Sequence, residues 1–246
     1  MSEQEALMKE LEKYTACDVS TSFPPPQTRP NRMLTRGEKI SDALLKLNVP
    51  NAGFLCDILP RTTTTTTSTT VSLATTVLFA PTTTTEPPCS LPAGTHFADF
   101  ITPHRTVVIS QPAGQRCAVV GGIVAERMYQ LGARVIVVSG RVRDVEGFGE
   151  REDLMVFSKG ISTVGASAES RIVAVDDPIT IDGTEVSAGD IVFADSRAGV
   201  VVIPAVLLEK VVEMLPGMVE ADSKAMEDVR NGKSIYDAFK KHRNTS

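Results

Sequence analysis

The chain has 246 residues, of which 42% are hydrophobic, enough to bury one sizeable core, and a formal net charge of −5 that leaves no broad cationic surface for nucleic acid. No apolar run approaches the roughly 18 residues of a membrane span, and the opening MSEQEALMKELEKYT is charged rather than apolar. The expectation is a soluble, cytoplasmic, single-domain protein over 1–246 that engages neither membrane nor nucleic acid.

Four cysteines, Cys17, Cys56, Cys89 and Cys117, are widely spaced and form no C-x-x-C pair, so reduced thiols are expected rather than a disulfide framework or a zinc site. The three histidines, His96, His104 and His242, sit in unrelated contexts and support no histidine-based metal or nucleophile triad. His96, just before Phe97, reads as structural.

In chain order, periodicity and punctuation predict helices at 3–14 and 41–47, strands at 70–79 and 106–110, a helix after Gly122 and a strand at 134–138. Strands at 171–176, 190–194 and 199–203 follow, then helices at 205–216, 218–230 and 234–242. This is a mixed α/β pattern. Two Thr-rich stretches, 61–70 and 82–88, read as surface loops, and the carboxylates of AGDIVFADSRAGVVVIP (188–204) read as turn formers.

The segment GGIVAERMYQLGARVIVVSGRVRD (121–144) carries the most chemistry. Gly121 and Gly122 allow a sharp turn into a helix, so free N–H groups and the positive end of the helix dipole face one point. A carboxylate or phosphate suits that point. The following strand exits through Gly140, Arg141 and Val142 to Arg143 and Asp144. Arg143 offers a planar fork for a carboxylate, and Asp144 offers a hard oxygen for Mg²⁺ or another divalent ion.

This glycine turn, helix, strand and G-x-x-R-D order resembles the RraA-like and 4-hydroxy-4-methyl-2-oxoglutarate aldolase family. The likeness continues in CD (17–18), SDALLKLNVPNAGF (41–54), VLFAP (77–81), AGTHFADFI (93–101), VVISQPAGQ (107–115) and VDDPITIDGTEVSAGDIVFADSRAGVVVIP (175–204). The resemblance implies a layered α/β/β/α sandwich with N- and C-terminal helical arms, assembled as a homotrimer or homohexamer with sites between subunits. It also implies a Mg²⁺- or Mn²⁺-dependent carbon–carbon lyase that cleaves 4-hydroxy-2-oxo diacids, or decarboxylates oxaloacetate, through a pyruvate enolate. Arg143 would hold the pyruvyl unit, Asp144 the metal or its waters, and the turn from Gly121 to Val124 the small 2-oxo acid's carboxylate.

Two departures stand out. Gly122 occupies a position that is acidic in many family members, removing one partner for a metal-bound water. The acid that family aldolases borrow from a neighbouring subunit matches Asp222, with Glu220 next, although Glu220, Asp222, Glu227 and Asp228 also fit a solvated helix face. Removing 19–39 restores a continuous CDISDALLKL, so this polar, Pro-rich segment reads either as translated intron or as a genuine inserted loop. Retention of Asp144 favours the enzyme over a non-catalytic RraA-like regulator, while Gly122 and the Thr-rich stretches keep open a third reading, a lyase or isomerase recruited to a larger keto or enol substrate.

Overall fold

Strand residues that alternate faces can serve two apolar layers at once, and this chain uses that property to build three. The fold is given by a computed structural model that describes residues 2–13, 36–62 and 69–243. Its helices are α1 (Glu3–Lys13), α2 (Arg36–Lys46), α3 (Gly122–Gln130), α4 (Val145–Phe148), α5 (Leu208–Arg230) and α6 (Ile235–His242). The strands are β1 (Leu59–Pro60), β2 (Thr69–Pro81), β3 (Thr106–Ser110), β4 (Ala118–Val120), β5 (Val135–Val142) and β6 (Met155–Ile161), followed by β7 (Ser170–Val175), β8 (Ile179–Ile181), β9 (Thr184–Val186), β10 (Ile191–Asp195) and β11 (Gly199–Ile203).

The main sheet runs β1-β6-β5-β3-β2-β10-β11, with β4 added to β5 and β7 added to β2; β8 and β9 form a separate hairpin. Pairing is parallel among β2, β3, β5 and β6 and between β4 and β5, and antiparallel where β10 meets β2 and β11. Long β2 pairs with β10 through 69–73 and with β3 through 74–78, so one strand belongs to both halves of a curled sheet.

Alternation then sorts the side chains. Val107, Ile109, Ile136, Val138 and Val156 pack with Ala125 and Met128 of α3 and Phe148 of α4. Their neighbours Val108, Val135, Val137, Met155 and Phe157 face inward onto Val192, Ala194, Val200 and Val202, with Ile179, Ile181 and Val186 of the hairpin closing the layer. On the far side, Ile191, Phe193, Val201 and Ile203 pack against Leu11 of α1, Ile40, Ala43 and Leu44 of α2 and Leu208, Val211 and Leu215 of α5. The order is helix, sheet, sheet, helix, as expected.

Several bounds differ from the expectations. The helices expected at 205–216 and 218–230 are one continuous α5 with Pro216 inside it. Pro216 and Gly217 lie on the exposed side, while Leu208, Val211, Leu215, Asp222 and Ala225 keep one buried stripe through the break, and that packing holds the helix together. Strand β5 runs on to Val142 because β4 and β6 pair with its last residues, so Gly140 and Arg141 lie within the strand. Residues 36–39, the end of the segment read as an insert, form the first turn of α2; residues 19–35 lie outside the described residues, as do 63–68 of the first Thr-rich stretch. The second Thr-rich stretch is an exposed loop pinned by Arg171, which donates to the carbonyls of Thr84 and Pro87. Asp190 and Asp195 are turn formers, accepting from backbone N–H groups of Ser187, Ala205, Arg197 and Ala198. Among the described residues no helix is long and apolar enough to cross a membrane.

Phe193 lies in the layer between β10 and the outer helices and is fully buried. Phe193→Ala is expected to cost about 3–5 kcal/mol in denaturant unfolding, whereas Val206→Ser, on an exposed side chain, should stay within about 0.5 kcal/mol.

Candidate active site

β4 and β5 are parallel neighbours, so the turns leaving their carboxyl ends lie side by side, where open α/β sheets place ligands. Beyond β4 comes Gly121, then α3; beyond β5 come Arg143 and Asp144. A backbone bond from Arg143 N–H to the Val120 carbonyl, 2.9 Å, ties the two exits together. Asp144 sits in the left-handed region, φ 58° and ψ 37°, which turns its carboxylate back over the start of α3. There Oδ2 accepts from Gly122 N–H at 3.2 Å and lies 3.6 Å from Arg143 Nε.

The helix contributes donors as well. Ala125 N–H bonds back to the Gly121 carbonyl, 2.9 Å, so the N–H groups of Gly122, Ile123 and Val124 precede the first intrahelical bond. Asp144 takes the first of them. Ile123 and Val124 are left to offer N–H groups at the positive end of the dipole, with the guanidinium of Arg143 beside them. Gly121 lets the site close up: a Cβ there would lie 2.9 Å from both Arg143 Nε and Asp144 Oδ2, so both side chains would have to shift. At Gly122 the corresponding atom would make only ordinary contact, 3.6 Å from Asp144 Cβ.

Gly121, Gly122, Ile123, Val124, Arg143 and Asp144 therefore come together within one chain. The reading of the segment at 188–204 and of His96 as structural also agrees with the geometry, since His96 Nδ1 accepts from Ala98 N–H and the ring packs on Phe97. Sequence reasoning missed Gly165, where a Cβ would come within 3.1 Å of Arg143 Nη1, and the side chain of Gln111, which lies beneath the β4 and β5 exits. Neither lies in a periodic segment, and their nearness to the turn depends on long-range strand pairing.

Asp222 and Glu220 belong to a different part of the chain. Asp222 is only 4% exposed, and its carboxylate is gripped by Lys39 Nζ and by Arg243 Nε at 2.5 Å. The solvated-face expectation thus fails at Asp222, because α2 and the residue after α6 each bring a cation against it. Burial pushes the Asp222 carboxyl up, but hydrogen bonds and charge from Lys39 and Arg243 outweigh it and the net shift is downward. Glu220 is exposed and pairs only one turn along, with Lys224 at 2.7 Å.

Among the described residues, no three His, Cys, Asp or Glu side chains gather to hold a metal ion. The donor set fits a Mg²⁺ or Mn²⁺ held through the single carboxylate of Asp144, water and substrate oxygens; it does not fit an all-protein cage. A separate pocket lined by Asn51, Phe54, Cys56, Asp57, Lys159 and Asp182 includes none of the turn residues, and Lys159 pairs within it to Asp182 at 2.5 Å.

Two stability contrasts follow. Gly121→Ala is expected to displace the Arg143 and Asp144 side chains at a stability cost of at most about 1 kcal/mol, while Gly122→Ala stays within about 0.5 kcal/mol, both by denaturant unfolding. Lys39→Met, which leaves a buried carboxylate short of a cation, should cost about 3 kcal/mol at neutral pH. That penalty shrinks in acid, because the stability tied to the depressed Asp222 value is present above the ordinary carboxylate range and is lost as pH falls through its lowered one.

Comparison with known proteins bears on the family and the fold. The family model described as RraA-like, Aldolase/RraA, matches residues 38–202. A curated relative, Protein DlpA of Legionella pneumophila, is 28% identical over 145 residues, covering 58% of this chain and 23% of that protein, so this chain spans under a quarter of its length. An uncharacterized protein from Pseudomonas syringae pv. tomato aligns with a TM-score of 0.69 at 22% identity, over 95% of this chain and 96% of that one. RraAS2 of Streptomyces coelicolor, described as an unusual member of the RNase ES inhibitor RraA protein family, aligns with a TM-score of 0.61 at 20% identity, over 82% of this chain and 100% of that one. At these identities the two structures speak for the fold. With the family model spanning more than half of its residues, the chain belongs to the RraA-like family.

Proposed function

We propose that this protein is a divalent-metal-dependent carbon–carbon lyase of the cytoplasm that cleaves 4-hydroxy-2-oxo diacids or decarboxylates oxaloacetate, releasing pyruvate. The observation that carries the reading is the convergence of Gly122 N–H, the Asp144 carboxylate and the Arg143 guanidinium at the start of α3, with Oδ2 of Asp144 3.2 Å from the first and 3.6 Å from Nε of the last. Such a site offers an anion cradle and a cation ligand side by side, which a 2-oxo acid needs.

Each residue then has a part. Arg143 forks onto the substrate carboxylate, and the N–H groups of Ile123 and Val124 receive its remaining lone pairs. Asp144, held by Gly122 N–H, holds the cation or its water. A Mg²⁺ or Mn²⁺ held through Asp144 would supply the electron sink that cleavage beside a ketone needs, so no Schiff-base lysine would be required. A homotrimer or homohexamer would place a second protomer's acid nearby, and Glu220, exposed where Asp222 is buried, is the better of the two for that part.

Gly122 favours a second reading. With no carboxylate at that position, Asp144 serves alone, which suits a recruited lyase or isomerase on a larger keto or enol substrate, or a binding protein that regulates a partner. The deciding measurement is pyruvate release from oxaloacetate and from 4-hydroxy-4-methyl-2-oxoglutarate with Mg²⁺, with Mn²⁺ and with chelator. Metal-dependent release that falls at least about 100-fold in Asp144→Ala is expected. Release that survives both chelator and Asp144→Ala would refute the mechanism, and none from the folded oligomer would favour the second reading.

A further inference from the structure

β3 and β4 pair with β5 one after the other, and something must fill the stretch of its edge that lies between the end of β3 and the start of β4. β3 pairs with β5 only as far as Ile109 and Val138. Beyond that point β5 contains an irregularity: Val138 pairs with Ser158 and Arg141 with Gly160 of β6, so β5 carries one residue more than its neighbour. The side chain of Gln111, 5% exposed, fills this gap. Its Oε1 accepts from Arg141 N–H at 2.9 Å and its Nε2 donates to the Cys117 carbonyl at 2.9 Å, while its backbone N–H donates to Ser139 Oγ at 2.9 Å. The amide therefore acts as a hydrogen-bonded rung from β5 to the residue before β4.

Gly140 makes room for that rung. A Cβ at this position would fall 1.8 Å from Gln111 Oε1 and 2.5 Å from its amide carbon, so the bulge, the glycine and the glutamine form one unit. Two residues past the rung on β5 comes Arg143, and four past Cys117 on the other side comes Gly121, next to it. A slip in their alignment would carry the Asp144 carboxylate off the α3 amides.

We infer that Gln111 is a positioning residue: its amide, bonded to β5 and to Cys117, sets the register that brings Arg143 and Asp144 onto the start of α3. The proposal rests on the lyase reading only for its kinetic readout. Glutamine is suited to the part because a single group must both accept from an N–H and donate to a C=O in a buried place. A neutral glutamic acid can do the same, whereas a glutamate anion cannot donate.

The test uses Gln111→Met and Gln111→Glu in the full chain, read by amide hydrogen exchange and by pyruvate release. In Gln111→Met, exchange at 121–124 and 141–144 is expected to speed up at least tenfold while β10 and β11 keep wild-type protection, and kcat to fall more than KM rises. In Gln111→Glu, the same exchange and kcat defects are expected at pH 8 and to recover toward pH 6, where the buried carboxyl holds its proton, a dependence wild type lacks. Exchange in both variants within twofold of wild type at every pH would overturn the proposal, as would a Gln111→Glu defect that does not respond to pH. Should Gln111→Met not fold, the pH arm of Gln111→Glu decides. If wild type releases no pyruvate, the lyase reading fails and the exchange data alone decide the role of Gln111.

Discussion

One strand has to satisfy three apolar layers, and the rest of the molecule is arranged around that demand. Val71 near the start of β2 faces the outer helices, Ala74 faces the space between the sheet halves, and Val77 and Phe79 face the layer beneath α3. A shorter or straighter β2 could not pair with β10 at one end and with β3 and β7 at the other. The curl it imposes lets β10 and β11 cover the inner faces of β5 and β6 and leaves the carboxyl ends of β4 and β5 open. The turn chemistry is therefore a product of how the sheet closes, with the loops exploiting an edge the layers leave uncovered.

The turn itself is governed by close approach. Gly121 has no Cβ, so the backbone leading into α3 can come up against Arg143 and Asp144, and the bond between Arg143 N–H and the Val120 carbonyl keeps it there. Two half-exposed charged side chains gain little from each other in water, yet at a helix start each also meets aligned dipoles. Ile123, 89% exposed, projects from the same turn, so the rim of the site is apolar where its base is polar.

Much of this could be read from residues. The β-branched runs of β3, β5, β10 and β11 announce buried strands, and the glycine pair followed by R-D marks the turn. What could not be read depends on partners distant in sequence. The end of β5 looks like loop because Gly140 and Arg141 have poor strand character, and β4 and β6 supply the pairing that overrides it. Asp222 has the spacing of an exposed helix face, and its burial depends on Lys39 and Arg243, which lie far away along the chain. Pro216 looks like a helix boundary, but the buried stripe running past it makes one helix.

The place of Lys39 bears on the two lengths this chain could have. Excision of 19–39 would set Asp18 immediately before Ile40, exchanging a lysine for an aspartate at the point where the start of α2 meets Asp222. Such a shorter product would carry three carboxylates, from Asp18, Asp42 and Asp222, near a single arginine, where the longer one sets Lys39 and Arg243 against Asp42 and Asp222. If both lengths were made, they would not be interchangeable versions of one protein with and without a decoration. They would place opposite charges at the junction of α2, α5 and the chain after α6, and the anchoring of the C-terminal arm would differ between them.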